Sequence, residues 1–134
     1  MFYLEIKYII KLNRELKVAT LDVGDIYIPK TFNQFMDNLL LNDLTTYEGR
    51  ISATKQKYHL IKQTPIYIND NCVLISTASA RNLDNIYLNI KTILLLEEKG
   101  TSTIITFLDQ TTISIPFKRR HITSLIQRAQ VIKR

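Results

Sequence analysis

The sequence predicts an α+β fold, in which an antiparallel β-sheet of hairpins and a meander is packed by one central and one C-terminal amphipathic helix. Three observations lead there. Apolar residues recur at every second position from Phe2 to Ile10 and again from Ile86 to Ile90, the spacing of a half-buried strand. They recur at helical spacing at Phe32, Phe35, Met36, Leu39 and Leu40, and again at Ile122, Leu125, Ile126 and Ala129. The strand-like runs are joined by short turns, which suit antiparallel pairing and leave no room for crossover helices.

In chain order, the first strand runs from Phe2 to Ile10, with Phe2, Leu4, Ile6 and Tyr8 alternating against Tyr3, Glu5 and Lys7. Residues 11–24 hold a short apolar run, Val18-Ala19-Thr20-Leu21, and do not declare a structure. Asp25 to Pro29 reads as a short strand closed by the proline. Thr31 with Gln34 forms a capping-box pattern that opens a helix over about 31–42, its apolar stripe facing the core. A turn is expected at Tyr47-Glu48-Gly49-Arg50, where Gly49 can take a positive φ. Ile66 to Ile68 and Cys72 to Thr77 flank the turn triplet Asn69-Asp70-Asn71 and form a hairpin. After the polar loop 78–85, three strands follow as a meander: Ile86 to Leu96, Ser102 to Leu108 and Thr111 to Pro116. The closing segment FKRRHITSLIQRAQVIKR is a basic amphipathic helix, with Arg119, Arg120, Arg128 and Arg134 mostly off the apolar stripe.

A chain of 134 residues is expected to form one domain over 1–134 with a core that needs no staple. The lone Cys72 cannot form an internal disulfide and sits in the apolar run CVLIS, so it reads as a buried spectator in a reducing compartment. No apolar run reaches the length of a membrane span, and MFYLEIKYII carries Glu5 and Lys7, unlike a signal peptide. The expectation is a cytoplasmic protein without a membrane partner. The net charge of +6 is concentrated: residues 1–46 carry −1, residues 47–64 carry +3, residues 65–117 carry −2 and residues 118–134 carry +6. Two basic blocks of this kind favour an anionic partner.

The first block lies within Thr45 to Ile68, where Arg50, Lys55, Lys57 and Lys62 face the single acid Glu48 and are interleaved with Tyr47, Tyr58 and His59. Ammonium and guanidinium groups meet phosphates, and planar rings can stack on bases. A merely solvated loop is the competing reading. The terminal helix is open between docking on the sheet with a solvated charged face and facing DNA phosphates; a membrane-surface role is disfavoured because no bulky aromatic follows Phe117. Enzyme signatures are missing from the sequence: no metal-ligand cluster joins His59 or His121, and no Gly-rich phosphate loop, nucleophile elbow or H-E-x-x-H occurs. No catalytic residue, metal or cofactor is therefore expected.

The order and spacing of several short motifs resemble the ComK family of competence transcription factors. Tyr47-x-Gly49-Arg50 is followed by a lysine-containing segment and by Lys62-x-x-Pro65-Ile66 with Ile68. Cys72 to Thr77 is similar to the family's apolar strand, and Ile86 to Ile93 to its next one. Thr103-Ile104-Ile105-Thr106-Phe107 with Ile113-Ser114-Ile115-Pro116 resembles its T-x-x-x-F and L-P-I-S hairpin, and Arg128 matches a recurring arginine of its C-terminal helix. The likeness covers roughly residues 30–134. This chain lacks the family's common tryptophan and cysteine between Ala80 and Asn89, and stops at Arg134 where relatives usually continue into a tail.

The resemblance implies a regulator that binds double-stranded, A/T-rich DNA mainly through the minor groove, as a dimer or higher homo-oligomer that bends the duplex. Narrow A/T grooves draw in arginine through their enhanced negative potential. On that reading Arg50 enters the groove, Lys55, Lys57 and Lys62 hold nearby phosphates, and Lys118, Arg119 and Arg120 add backbone contacts, with Arg81 a weaker candidate. RNA polymerase or a proteolysis adaptor is a partner by resemblance alone. Two alternatives stay open: an interaction protein that pairs with a full-length relative and modulates it without activating transcription, and a small nucleic-acid-processing enzyme.

Overall fold

The computed structural model describes residues 5–60, 63–79 and 81–132. The chain opens with a three-strand meander, β1 (Ile6–Leu12), β2 (Glu15–Thr20) and β3 (Gly24–Ile28), so the undecided stretch 11–24 is β-hairpin. Helix α1 (Phe32–Leu40) starts as its capping box requires: Thr31 Oγ1 accepts from the Gln34 amide at 3.2 Å, and Gln34 Oε1 accepts from the Thr31 amide at 3.1 Å. After a 3-10 turn at Leu41–Asp43 comes helix α2 (Tyr47–Tyr58). Strands β4 (Ile66–Asn69) and β5 (Cys72–Ser76) form the expected hairpin. Strand β6 (Tyr87–Asn89), the 3-10 turn Ile90–Thr92, strands β7 (Ile93–Lys99), β8 (Ser102–Phe107) and β9 (Thr112–Ile115), and helix α3 (Arg119–Gln130) complete the order.

The strands form two antiparallel sheets. The larger has six strands in the order β3-β2-β1-β6-β5-β4, and the smaller has three in the order β7-β8-β9. Strand β6 slots between the N-terminal meander and the β4–β5 hairpin, pairing Ile9 with Tyr87 on one side and Ser76 with Tyr87 on the other. The two faces of the larger sheet carry separate cores. On one, Ile9, Leu16, Val18, Ile66 and Leu74 pack against Phe32, Phe35, Met36 and Leu40 of α1, with Tyr47 and Ile51 of α2 at the margin. On the other, Tyr8, Tyr67, Val73, Ile75 and Leu88 meet Ile105, Phe107 and Ile115 of the small sheet and Ile122, Leu125 and Ala129 of α3. Lys7 ties the sheets together, its ammonium donating to Asp109 Oδ2 at 3.0 Å and Thr111 Oγ1 at 2.9 Å.

Three expectations are corrected. Tyr47–Arg50 is not a turn but the first turn of α2, because Thr46 acts as N-cap, its hydroxyl accepting from the Gly49 amide at 3.0 Å. Gly49 does not use a positive φ. A side chain there would crowd the hydroxyls of Thr45 and Thr46, whose oxygens lie 3.0 and 3.2 Å from where a Cβ would stand. The strand expected over Ile86 to Leu96 is divided by the Ile90–Thr92 turn, which moves the chain from one sheet to the other. Asn89 makes that break. Its Nδ2 donates to the carbonyls of Ile6 (2.8 Å) and Asn71 (3.0 Å), and its Oδ1 accepts from the amides of Val73 and Lys91, both at 3.1 Å. The helices therefore number three among the described residues, not two.

Candidate nucleic-acid interface

Antiparallel pairing decides which chain segments meet at each end of the six-stranded sheet. Beyond the row Val18, Ile9, Tyr87 and Ser76, one end receives the β1–β2 turn, the exit of β3, the approach to β4 and the loop 77–86. Both basic blocks reach this end from opposite faces. From the α1–α2 face, Lys55 lines a cleft of about 480 Å³ together with Gln63, Thr64, Ser76, Ser79 and Tyr87. From the other face, the start of α3 is fixed by His121, whose Nε2 lies 2.7 Å from the Thr77 carbonyl oxygen while its ring packs on Phe117 with centroids 5.6 Å apart. A carbonyl only accepts, so this contact requires the proton on Nε2. Lys118 and Arg120 line a second hollow beside His121. Between these groups lies the polar loop, with Arg81 exposed on it.

Each candidate has a definite place. Lys55, Lys57, Arg81, Lys118, Arg119 and Arg120 are exposed. Among the described residues, the ion pairs are Lys7–Asp109, Lys17–Asp25 and Arg50–Asp43, so none of these six cations is held by a carboxylate at ion-pair distance. The ammonium of Lys57 lies 5.4 Å over the Tyr58 ring. Glu98 shares a hollow with Arg119 and Arg120 and is the acid nearest the start of α3 in that lining. Lys62 lies outside the described residues.

Arg50 is placed differently. No glycine turn presents it; a guanidinium nitrogen is bonded to Asp43, the side chain is only 16 % exposed, and its Nε is buried without a partner. It braces α2 against the 3-10 turn before it. Tyr47 packs edge-on against Phe32 with ring centroids 5.5 Å apart, and burial, then the nearby Tyr87, pushes its hydroxyl up to about 12. Cys72 is buried, and that burial pushes its thiol up to about 12 as well, which leaves no thiolate for chemistry near neutral pH. Among the described residues no group of three or more His, Cys, Asp or Glu side chains is placed to hold a metal ion. Among the described residues no helix is long and apolar enough to cross a membrane.

Residues of the first 46 positions were not singled out by the sequence, because that segment is acidic in net terms. The fold nevertheless brings three of its cations to the same sheet end. Lys11 sits with its ammonium 5.3 Å over the Phe32 ring and 5.4 Å over Tyr87, and desolvation there lowers its pKa. Arg14 occupies the β1–β2 turn with φ of 67°, and Lys30 follows β3. Only the pairing register, not composition, could have shown this.

In comparisons with known proteins, a family model described as ComK protein matches residues 8–134. No curated protein and no solved structure matches the chain.

Proposed function

We propose, since the chain belongs to the ComK family and so to the competence transcription factors, that it binds double-stranded, A/T-rich DNA mainly from the minor groove, using the basic end of the six-stranded sheet. The family is one of regulators and not of enzymes, in keeping with a molecule whose only cysteine is a protonated core residue. One observation carries the reading: exposed cations from α2, the 77–86 loop and the start of α3 converge on one end of the sheet, and no carboxylate pairs with them there among the described residues. A surface designed only for solubility intersperses both signs; one that keeps its cations unpaired retains them for phosphates.

The roles follow from position. Arg81, on an exposed loop between the two blocks, is the side chain we assign to the groove in place of Arg50. Lys55 and Lys57 hold phosphates on one side, and Lys118, Arg119 and Arg120 on the other. Self-association belongs to the same reading: edge strand β7 leaves Leu94 58 % and Leu95 50 % exposed, an apolar surface that supports a homo-oligomer. Fluorescence anisotropy with A/T-rich and G/C-rich duplexes at two salt concentrations tests the proposal. Tighter binding to A/T-rich duplex with a steep salt dependence is expected. Arg81→Ala should lose about 1–3 kcal/mol and part of that preference. Absence of duplex binding at low salt, or a variant indistinguishable from the parent, overturns it.

A further inference from the structure

We infer that the cleft between the β1–β2 turn and the start of α1, lined by Lys11, Arg14 and Lys30, is a second phosphate-holding site that grips the DNA backbone beyond the stretch engaged by α3. The inference rests on the DNA-binding reading above and extends it to residues of the N-terminal meander, which neither the basic blocks nor the matched motifs single out.

The cleft measures about 370 Å³, and Glu15 is the only acid in its lining. The cations come from separate chain segments, yet among the described residues none of the three has a carboxylate partner. The contrast with the opposite end of the sheet is direct: there Lys7 is neutralised by Asp109. Lys11 is held in place by its aromatic neighbours, so its charge is aimed before any ligand arrives and little side-chain entropy is lost on contact. Arg14 stands at a left-handed turn position with φ of 67°, where glycine would be relaxed. At the start of α1 the Thr31–Gln34 capping box already occupies two of the amides, those of Thr31 and Gln34.

The spacing favours a distinct contact. From β3 to β5 the sheet spans four strand intervals, roughly 19 Å at about 4.8 Å each. That is well beyond the ~6 Å width of a minor groove. Cations at the two ends of this row therefore meet different stretches of backbone, and a duplex laid across the sheet end is held at both.

The test uses the full chain and a duplex of about 30 base pairs. Arg14→Gly is the informative variant, since it removes the guanidinium while supplying the residue that this backbone prefers; its melting temperature should match or exceed the parent's. Lys30→Gln removes a second charge on the exposed surface. With a salt slope of about 0.9 per phosphate contact, each change should weaken binding about fivefold at 0.15 M salt. The double variant should weaken it roughly 30-fold, equally on A/T-rich and G/C-rich duplexes, and lower the slope by about two. A double variant that melts normally and binds within twofold of the parent with an unchanged slope overturns the inference. In that event, loss of binding by Lys118→Gln with Arg120→Gln would leave the DNA-binding reading standing. A parent protein that binds no duplex removes both.

Discussion

Arg50 illustrates how a single side chain changes meaning once its surroundings are known. Its guanidinium closes on Asp43 at the foot of α2, so Arg50→Ala removes a charge-assisted hydrogen bond to a largely buried carboxylate. Urea denaturation should show a loss of about 1–3 kcal/mol, with duplex affinity of the folded protein unchanged; a protein of normal stability that has lost DNA would return Arg50 to the interface. Cys72 gives a second test. With its thiol pushed up to about 12, it should resist a thiol reagent at pH 8 in the native state and react promptly in denaturant. Asp109 supplies the acid response. Desolvation raises its pKa, but hydrogen bonds from Thr111 and Lys7 outweigh that and leave it lowered. A carboxylate depressed in the folded state stabilises above its unfolded value near 3.9 and loses that stabilisation as the pH falls through the folded value. Asp109→Asn should therefore lose stability less steeply than the parent as the pH falls below about 4.

At the scale of elements, the helices show what periodicity reveals. Helices α1 and α3 were legible because each must bury a stripe: Phe32, Phe35, Met36 and Leu40 in one, Ile122, Leu125 and Ala129 in the other. Helix α2 was hidden because only Thr54 in it is buried, and Gly49 near its start resembles a turn residue. Its cap at Thr46 and the Asp37 carboxylate that accepts from the Tyr47 amide at 2.7 Å are the signals that hold it. Strand β6 is shorter than expected for a related reason: the alternation of Ile86, Leu88 and Ile90 runs on into the apolar Ile93 to Leu96, and the break at Asn89 depends on the hydrogen bonds of that one side chain. Asn89→Ala leaves the carbonyl of Ile6 and the amide of Val73 without their partner. At about 1–3 kcal/mol for each buried group, chemical denaturation should show a loss of roughly 3–5 kcal/mol, far more than Thr46→Ala, which removes one cap worth about 1 kcal/mol.

Across the whole molecule, charge is unevenly shared between the ends of the larger sheet, with Glu15 and Asp84 the acids of the turns at the basic end. The end opposite the candidate interface carries Glu5, Asp22, Asp25, Asp70 and Asp109, in turns or at strand starts. No window of sequence shows this, since it depends on strands far apart in the chain lying side by side. A strand of seven residues such as β1 is roughly 23 Å long, well beyond the Debye length of about 8 Å at 0.15 M salt. The acids thus leave bound DNA unaffected at that ionic strength but orient the molecule when salt is low. Neutralising Glu5 and Asp22 should change the association rate at 0.01 M salt, where screening reaches about 30 Å, and leave it unchanged at 0.15 M; stopped-flow measurement at both concentrations checks this.

The insertion of β6 between β1 and β5 has a consequence for biosynthesis. The first three strands leave the ribosome as a meander whose inner edge finds no neighbour until residues 87–89 are made, about 60 positions later. At ~5–20 residues per second the nascent chain waits on the order of 3–12 s with one edge of β1 unpaired. During that interval Ile6 and Ile9, which end almost wholly enclosed, are open to any chaperone that recognises bare apolar strands.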